Sequence, residues 1–301
     1  MNKYVRALLG ATIVATLGGG GAMAADLMVN GPAAATAAPQ SELRGTLEIG
    51  VLGEWANQPD DSFSGFAPGG FVTGSLWGGR DSFVWGIDGL LERNTFNTTE
   101  YEAPLYVGTL GLHLGIGDAS QAVGAFAALA VASNRDEESS VGASAGVEAN
   151  TTVGKWALVG QLGYAHIETD TSEPGDGFHG FFIHNGAVYS VSDDFAVMAD
   201  AGIGYAPESF EDVGSDQPGV FATAGLKAAY RLPTEYNAYL TFGYEAGYYN
   251  AIEDEDVGFT HTIKVGLSLP FGANSTAANA LNAHQTYTGP FRAGSWAATL
   301  D

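Results

Sequence analysis

The chain contains no cysteine, which excludes disulfide staples and a lipid-modified N-terminal cysteine. Proline is scarce, at 11 of 301 residues, and there is no Gly-x-y period, so collagen-like and proline-rich linker architectures are excluded. Bases are few: 11 Lys and Arg stand against 34 Asp and Glu, a net charge of −23. A chain this acidic repels phosphate backbones, and no nucleic-acid partner is expected. Beyond residue 24 no run of 18 consecutive apolar residues occurs, so no membrane-spanning helix is expected. No segment carries an apolar stripe at helical spacing either.

What the chain has in excess is glycine, 43 residues, which suits strands packed closely in a curved sheet. It also has a clear start. Lys3 and Arg6 precede the apolar run "ALLGATIVATLGGGGAM", and Ala22-Met23-Ala24 forms a small-x-small cleavage site. This predicts a signal peptide over 1–24 and a mature chain from Ala25. Losing Lys3 and Arg6 leaves nine bases against the 34 acids, a formal charge of −25. Residues 25–41 are small and aperiodic and are expected to form a periplasmic linker.

From residue 42 a period of two takes over. In "ELRGTLEIGVLGEW" (42–55), Leu43, Leu47, Ile49, Val51 and Trp55 share one face, while Arg44, Thr46, Glu48 and Glu54 share the other. That alternation is a strand with one apolar and one polar side. It recurs over 69–78, 82–92, 104–116, 122–132, 140–149, 155–166, 178–191, 195–205, 219–231, 236–249 and 258–271, making twelve. The register of 122–132 and of 178–191 stays open, because neither face is clearly polar.

Short connections ("GRD", "GDASQ", "NTTVG", "SDD", "LPTE") alternate with longer acidic ones at 56–68, 93–103, 133–139, 167–177, 206–218 and 250–257. Such segregation belongs to spanning barrels, with tight turns at one end and loops at the other. The strands exceed the ~9–11 residues that a tilted crossing needs. Aromatics close both ends of the apolar faces: Trp85, Trp156, Phe195, Tyr230, Tyr236 and Phe271 near the turns, Trp55, Tyr106, Tyr164, Tyr205, Tyr248 and Phe259 near the loops. Two girdles around an apolar band suit a bilayer. The expected fold is all-β: a transmembrane antiparallel up-and-down barrel of twelve strands over 42–271.

The segment "THTIKVGLSLPF" (260–271) resembles the closing strand of bacterial outer-membrane β-barrels, which alternates apolar residues and finishes on an aromatic. The resemblance, porin-like in the broad sense, covers roughly residues 1–271. It implies the bacterial outer membrane as location, with outer-membrane lipid, lipopolysaccharide and the barrel-assembly machinery as partners. One departure stands out: in that family the aromatic is usually the last residue, whereas thirty more follow here. Residues 272–301 show no period-two apolar face and are expected to form a C-terminal periplasmic tail outside the membrane wall. Tyr287, Phe291 and Trp296 make it more aromatic than a free tail needs, so docking at or inside the periplasmic mouth is one arrangement for it.

Candidate chemistry is thin. "GASAG" (142–146) matches a G-x-S-x-G elbow around Ser144, but an elbow needs a strand–turn–helix context, and these are successive inward positions of one strand. His179 and His184, five apart, fall on opposite faces and cannot share a metal. The acidic runs "RDEES" (135–139), "ETDTSEPGD" (168–176) and "EDED" (253–256) lack a calcium-loop pattern. No cofactor, no metal and no catalytic activity are expected. The informative set is the inward charges: Glu48, Glu54, Asp88, Glu92, Glu148, Asp200 and Glu245 against Arg44, Lys155, Lys227, Arg231 and Lys264. Inside a filled barrel they pair across strands, as Glu148 with Lys155 could. Inside a wet bore they line a cation-preferring pore for ions or small hydrophilic solutes. Twelve strands lie between the ~8 of filled barrels and the 16–18 of open porins, so a non-conducting structural or surface-interaction barrel stays open as the alternative. The oligomeric state is not legible.

Overall fold

The structure, a computed structural model, describes residues 43–57, 65–80, 82–97, 102–117, 121–133, 139–169, 177–209, 217–251, 257–272 and 276–292. The signal-peptide and linker regions, the loop segments 58–64, 98–101, 134–138, 170–176, 210–216 and 252–256, the turn residues 81 and 118–120, and residues 273–275 and 293–301 lie outside the described residues.

Twelve strands form one closed antiparallel barrel in which each pairs with its sequence neighbours and β1 closes on β12. They are β1 (Arg44–Asn57), β2 (Gly65–Arg80), β3 (Phe83–Asn97), β4 (Glu102–Gly117), β5 (Gln121–Ser133), β6 (Ser139–Val153), β7 (Trp156–Thr169), β8 (Gly177–Ser192), β9 (Phe195–Ser209), β10 (Gln217–Arg231), β11 (Tyr239–Ala251) and β12 (Val257–Phe271). Closure leaves no sheet edge, which satisfies every ladder hydrogen bond inside hydrocarbon.

The wall is inside-out relative to a soluble domain. Val51 is 64% exposed and Ile116 73%, whereas Glu48, Thr241 and Thr262 are 1% exposed. The outward apolar residues meet lipid and the polar ones meet the bore. Aromatic pairs bracket the band. Trp156 and Tyr189 lie 4.7 Å apart near the turns, and Trp55–Phe66 (4.8 Å) and Tyr248–Phe259 (5.3 Å) lie near the loops.

The two unsettled registers resolve inward on Phe126 in β5 and on Phe182 and His184 in β8, all buried. His179 takes the other face of β8, as its spacing requires. Several strands run further than expected, β3 to Asn97 rather than 92, β6 to Val153 rather than 149 and β9 to Ser209 rather than 205, and two starts differ by three residues or more. β2 begins at Gly65 rather than 69, extending its pairing with β1 to the loop end. β11 begins at Tyr239 rather than 236, because Leu232 N donates to Ala238 O and Ala238 N to Tyr236 O (both 2.8 Å), folding 236–238 into the turn. The turn is held further by the Arg231 guanidinium donating to Asn237 at 2.9 Å.

Among the described residues the chain adds no thirteenth strand. After Phe271 it turns at Gly272, whose φ of +106° lies in a region that other residues rarely adopt. Residues 276–292 then run through the interior of the barrel, beginning with a short helix, α1 (Ala277–Ala280).

A bore occluded by the chain's own tail

The tail enters at the turn end, where Ala277 N donates to Asp193 O (2.9 Å). All four residues of α1 are buried. Small side chains let this backbone approach the wall, and wall hydroxyls meet its carbonyls: Thr46 donates to Asn279 O (3.1 Å) and Ser268 to Ala280 O (3.0 Å). Leu281, 2% exposed, packs with α1 against Trp77, Val188, Ala196 and Tyr239. Next the tail bends through Asn282, at a φ of 49°, a left-handed conformation that asparagine tolerates better than most residues. Its side-chain oxygen accepts from Ser75 at 2.7 Å.

Higher in the bore the contacts become polar and charged. Gln285 bonds Thr73. Thr286 donates to Asp88 through its hydroxyl (2.9 Å) and its N–H (3.2 Å). Tyr287 N donates to Gln161 (3.1 Å), its hydroxyl meets Thr223 (2.9 Å), and its ring stacks on His184 at 4.5 Å. Phe291 joins Phe126, Phe182 and Phe221. Arg292 donates to Glu92 (2.8 Å) and lies 3.7 Å from Glu245.

The wall carries its own network. Glu48 accepts from Lys227 (2.6 Å) and Thr241 (2.5 Å), and Glu92 accepts from Lys264 (2.9 Å). His113 is clamped between Asp88 (2.6 Å) and Glu148 (2.8 Å). Asn94 donates to Glu54 at 2.6 Å, and His184 stands 3.6 Å from Asp200. Thr286 also lies 3.4 Å from His113. That histidine nitrogen is already committed to Asp88 at the shorter distance, so it does not act as a base toward the hydroxyl. Ser144 sits mid-strand in β6, without a strand–turn–helix elbow. Among the described residues no three His, Cys, Asp or Glu are arranged to hold a metal.

Nine of the twelve expected pore-lining residues face the bore: Glu48, Glu54, Asp88, Glu92, Glu148, Asp200, Lys227, Glu245 and Lys264. Of the other three, Arg44 and Arg231 keep the inward register at the turn end, opposite the buried Trp77 and Tyr239, and Lys155 leaves it. Arg44 opens β1. Lys155 sits in the β6–β7 turn, exposed, with its ammonium on Val191 O (3.1 Å). Arg231 ends β10 and pairs with Asp194 at 3.3 Å. Strand alternation was carried one step too far into the β6–β7 turn, where it no longer applies. The expected Glu148–Lys155 pair is therefore absent, and Glu148 engages His113 and, at 3.4 Å, Gln161. Sequence reasoning passed over His113 and Arg292, and it left His184 unplaced. The signal for His113 was there: it lies on the polar side of the alternating segment 104–116.

Between tail and wall remains a cavity of about 150 Å³, lined by Glu48, Lys227, Tyr287 and Arg292 among others. Such a space is large enough for water.

A closed, even-stranded antiparallel wall, an outward apolar band between aromatic girdles and a polar interior define a bacterial outer-membrane β-barrel. No family model and no curated protein matches the chain. Among solved structures it is similar to the translocator domain of the autotransporter NalP from Neisseria meningitidis (17% identity, 77% of this chain and 90% of that chain, TM-score 0.49). It is also similar to an outer membrane channel from Pseudomonas putida F1 (13% identity, 81% and 100%, TM-score 0.49). A third likeness is to the Pseudomonas putida toluene transporter TodX (12% identity, 88% and 97%, TM-score 0.41).

Proposed function

We propose that the protein is an outer-membrane channel for ions or small hydrophilic solutes, held closed by its C-terminal segment and opened when that segment leaves the bore. The observation that carries this reading is the polar surface between tail and wall. A permanently filled barrel gains more from apolar packing than from buried ion pairs, which barely repay their desolvation. Here, withdrawing the tail uncovers hydroxyls, carboxylates and ammoniums that water solvates readily.

The uncovered wall carries seven acids against Lys227 and Lys264, with His113 and His184 beside them. Arg292 leaves with the tail. The open form therefore prefers cations, because like charges lining a narrow bore concentrate counter-ions. The protein reaches the membrane by cleavage after Ala24 and the barrel-assembly machinery, and it resides among lipid and lipopolysaccharide. It has no catalytic role and needs no cofactor. A second reading, a non-conducting structural barrel, draws on the density of the same contacts and the small residual cavity.

Planar-bilayer recording separates the two readings. The channel reading expects the full-length protein to rest closed with discrete openings, and reversal potentials in a KCl gradient to report cation preference. That preference weakens on Glu54→Gln or Glu92→Gln. A folded protein that stays silent even when the tail is driven out by Leu281→Asp supports the structural barrel.

A further inference from the structure

The geometry points to a binding site for a small guanidinium-bearing cation at the loop end of the bore. It is formed by Glu54, Glu92 and Glu245 and is occupied in the closed state by the chain's own Arg292. This inference rests on the gating reading and names the ligand that would release the tail.

Arg292 is the last described residue of the tail and is 8% exposed. Its Nη2 donates to Glu92 on β3 at 2.8 Å, while its Nε lies 3.7 Å from Glu245 on β11. Two edges of one planar group thus address carboxylates on two strands. Glu54 on β1 adds its charge to the same guanidinium. Glu54 and Glu92 are 3% and 4% exposed, so this is a built site rather than a solvated rim. A further acceptor, Glu92 Oε1, is buried and has no hydrogen-bond partner among the described residues.

Charge decides what happens when the tail withdraws. Lys264 is fixed to the wall and stays on Glu92 at 2.9 Å. Three carboxylates facing that single ammonium leave two acids uncompensated, a costly state in a confined, poorly solvated bore. An entering cation relieves it. Sodium or potassium supplies charge alone, whereas a guanidinium also supplies N–H donors in a planar fork that matches carboxylates. A small guanidinium solute arriving from the loop side therefore competes directly with Arg292. Because Arg292 lies at the far end of the described tail, its release does not require α1 to leave the turn end.

The test uses the full-length protein in planar bilayers with agmatine as probe, against sodium chloride at matched ionic strength. Agmatine is expected to raise open probability several-fold beyond the salt control. Glu245→Gln abolishes that increment, and Arg292→Gln opens the channel without agmatine. Heat-modifiable electrophoretic mobility confirms that each variant is folded. Equilibrium dialysis on the Arg292→Gln protein adds a direct readout: it binds agmatine, and adding Glu245→Gln removes the binding. If Arg292→Gln opens the channel but agmatine neither binds nor exceeds the salt control, the site inference is overturned and gating stands. If neither Arg292→Gln nor Leu281→Asp opens a folded barrel, the gating reading fails and takes the inference with it.

Discussion

The two halves of the tail are held in the same bore by different forces. The root, 276–283, is alanine, leucine and asparagine after Thr276. Ala277 and Ala280 are fully buried and Leu281 nearly so, against Tyr239, Val188 and Ala196. Burying a leucine side chain is worth ~1.5–3 kcal/mol and is almost indifferent to salt. The tip, 285–292, relies on Thr286 to Asp88, Tyr287 to Thr223 and Arg292 to Glu92. Each such bond contributes a net ~0.5–1.5 kcal/mol, rising to ~1.5–3 kcal/mol where a charge takes part. The root is therefore an anchor, and the tip is the part that ions, competing ligands and protons can reach.

Breaking the anchor has the largest expected effect. Leu281→Asp removes an apolar contact worth ~2–5 kcal/mol and puts an unpaired carboxylate in its place. The whole tail is expelled, so conductance becomes continuous and the tail becomes sensitive to protease. The tip yields to a smaller change on the wall. A Cβ added at Gly202 would lie 2.3 Å from the Tyr287 ring. Gly202→Ala costs ~1–3 kcal/mol of tip docking by overpacking, raising open probability while the root stays protected from protease.

Acid acts at the junction between the halves. Burial first, and the nearby charge of His113 second, push the His284 pKa down from 6.5 to about 3. The docked tail therefore binds fewer protons than the released one at pH values between these two. Docking is at full strength above the unperturbed value of ~6.5 and weakens by about tenfold per pH unit below it. Open probability is expected to climb as pH falls from neutrality toward 5, and His284→Asn removes that component of the slope. The smallest effect belongs to Ser75→Ala, which deletes one hydrogen bond to Asn282 (2.7 Å). It costs ~0.5–1.5 kcal/mol of root docking, read as a modest rise in resting conductance.

The wall was legible in the sequence because lipid and bore impose opposite demands on alternate residues, twelve times over. Glu48 beside Ile49 and Lys264 beside Val265 announce their faces without any structure. The tail was not legible in the same way. A serine such as Ser75 reads identically whether it faces water or Asn282, and aperiodic residues 276–292 carry no pattern of their own. The faint signal lay in the wall. Gly111, Gly142 and Gly202 are inward positions where a Cβ would collide with Thr286, Phe291 and Tyr287. Glycine at an inward position of a strand marks close approach by something, here the tail, but the sequence does not say what approaches.

If residues 276–292 are the gate, a covalent lock that holds them in the bore keeps the channel shut. The chain has no cysteine, so Gly111→Cys with Thr286→Cys introduces a unique pair. A Cβ at 111 lies 2.1 Å from the Thr286 hydroxyl, which Thr286→Cys removes, and this sets the two Cβ atoms at the short end of the ~3.5–4.5 Å that a disulfide spans. Oxidised protein in a planar bilayer is expected to stay closed at every salt concentration and pH, and reduction should restore openings in the same membrane. Oxidised, folded protein that conducts like its reduced form would rule out the tail as the gate.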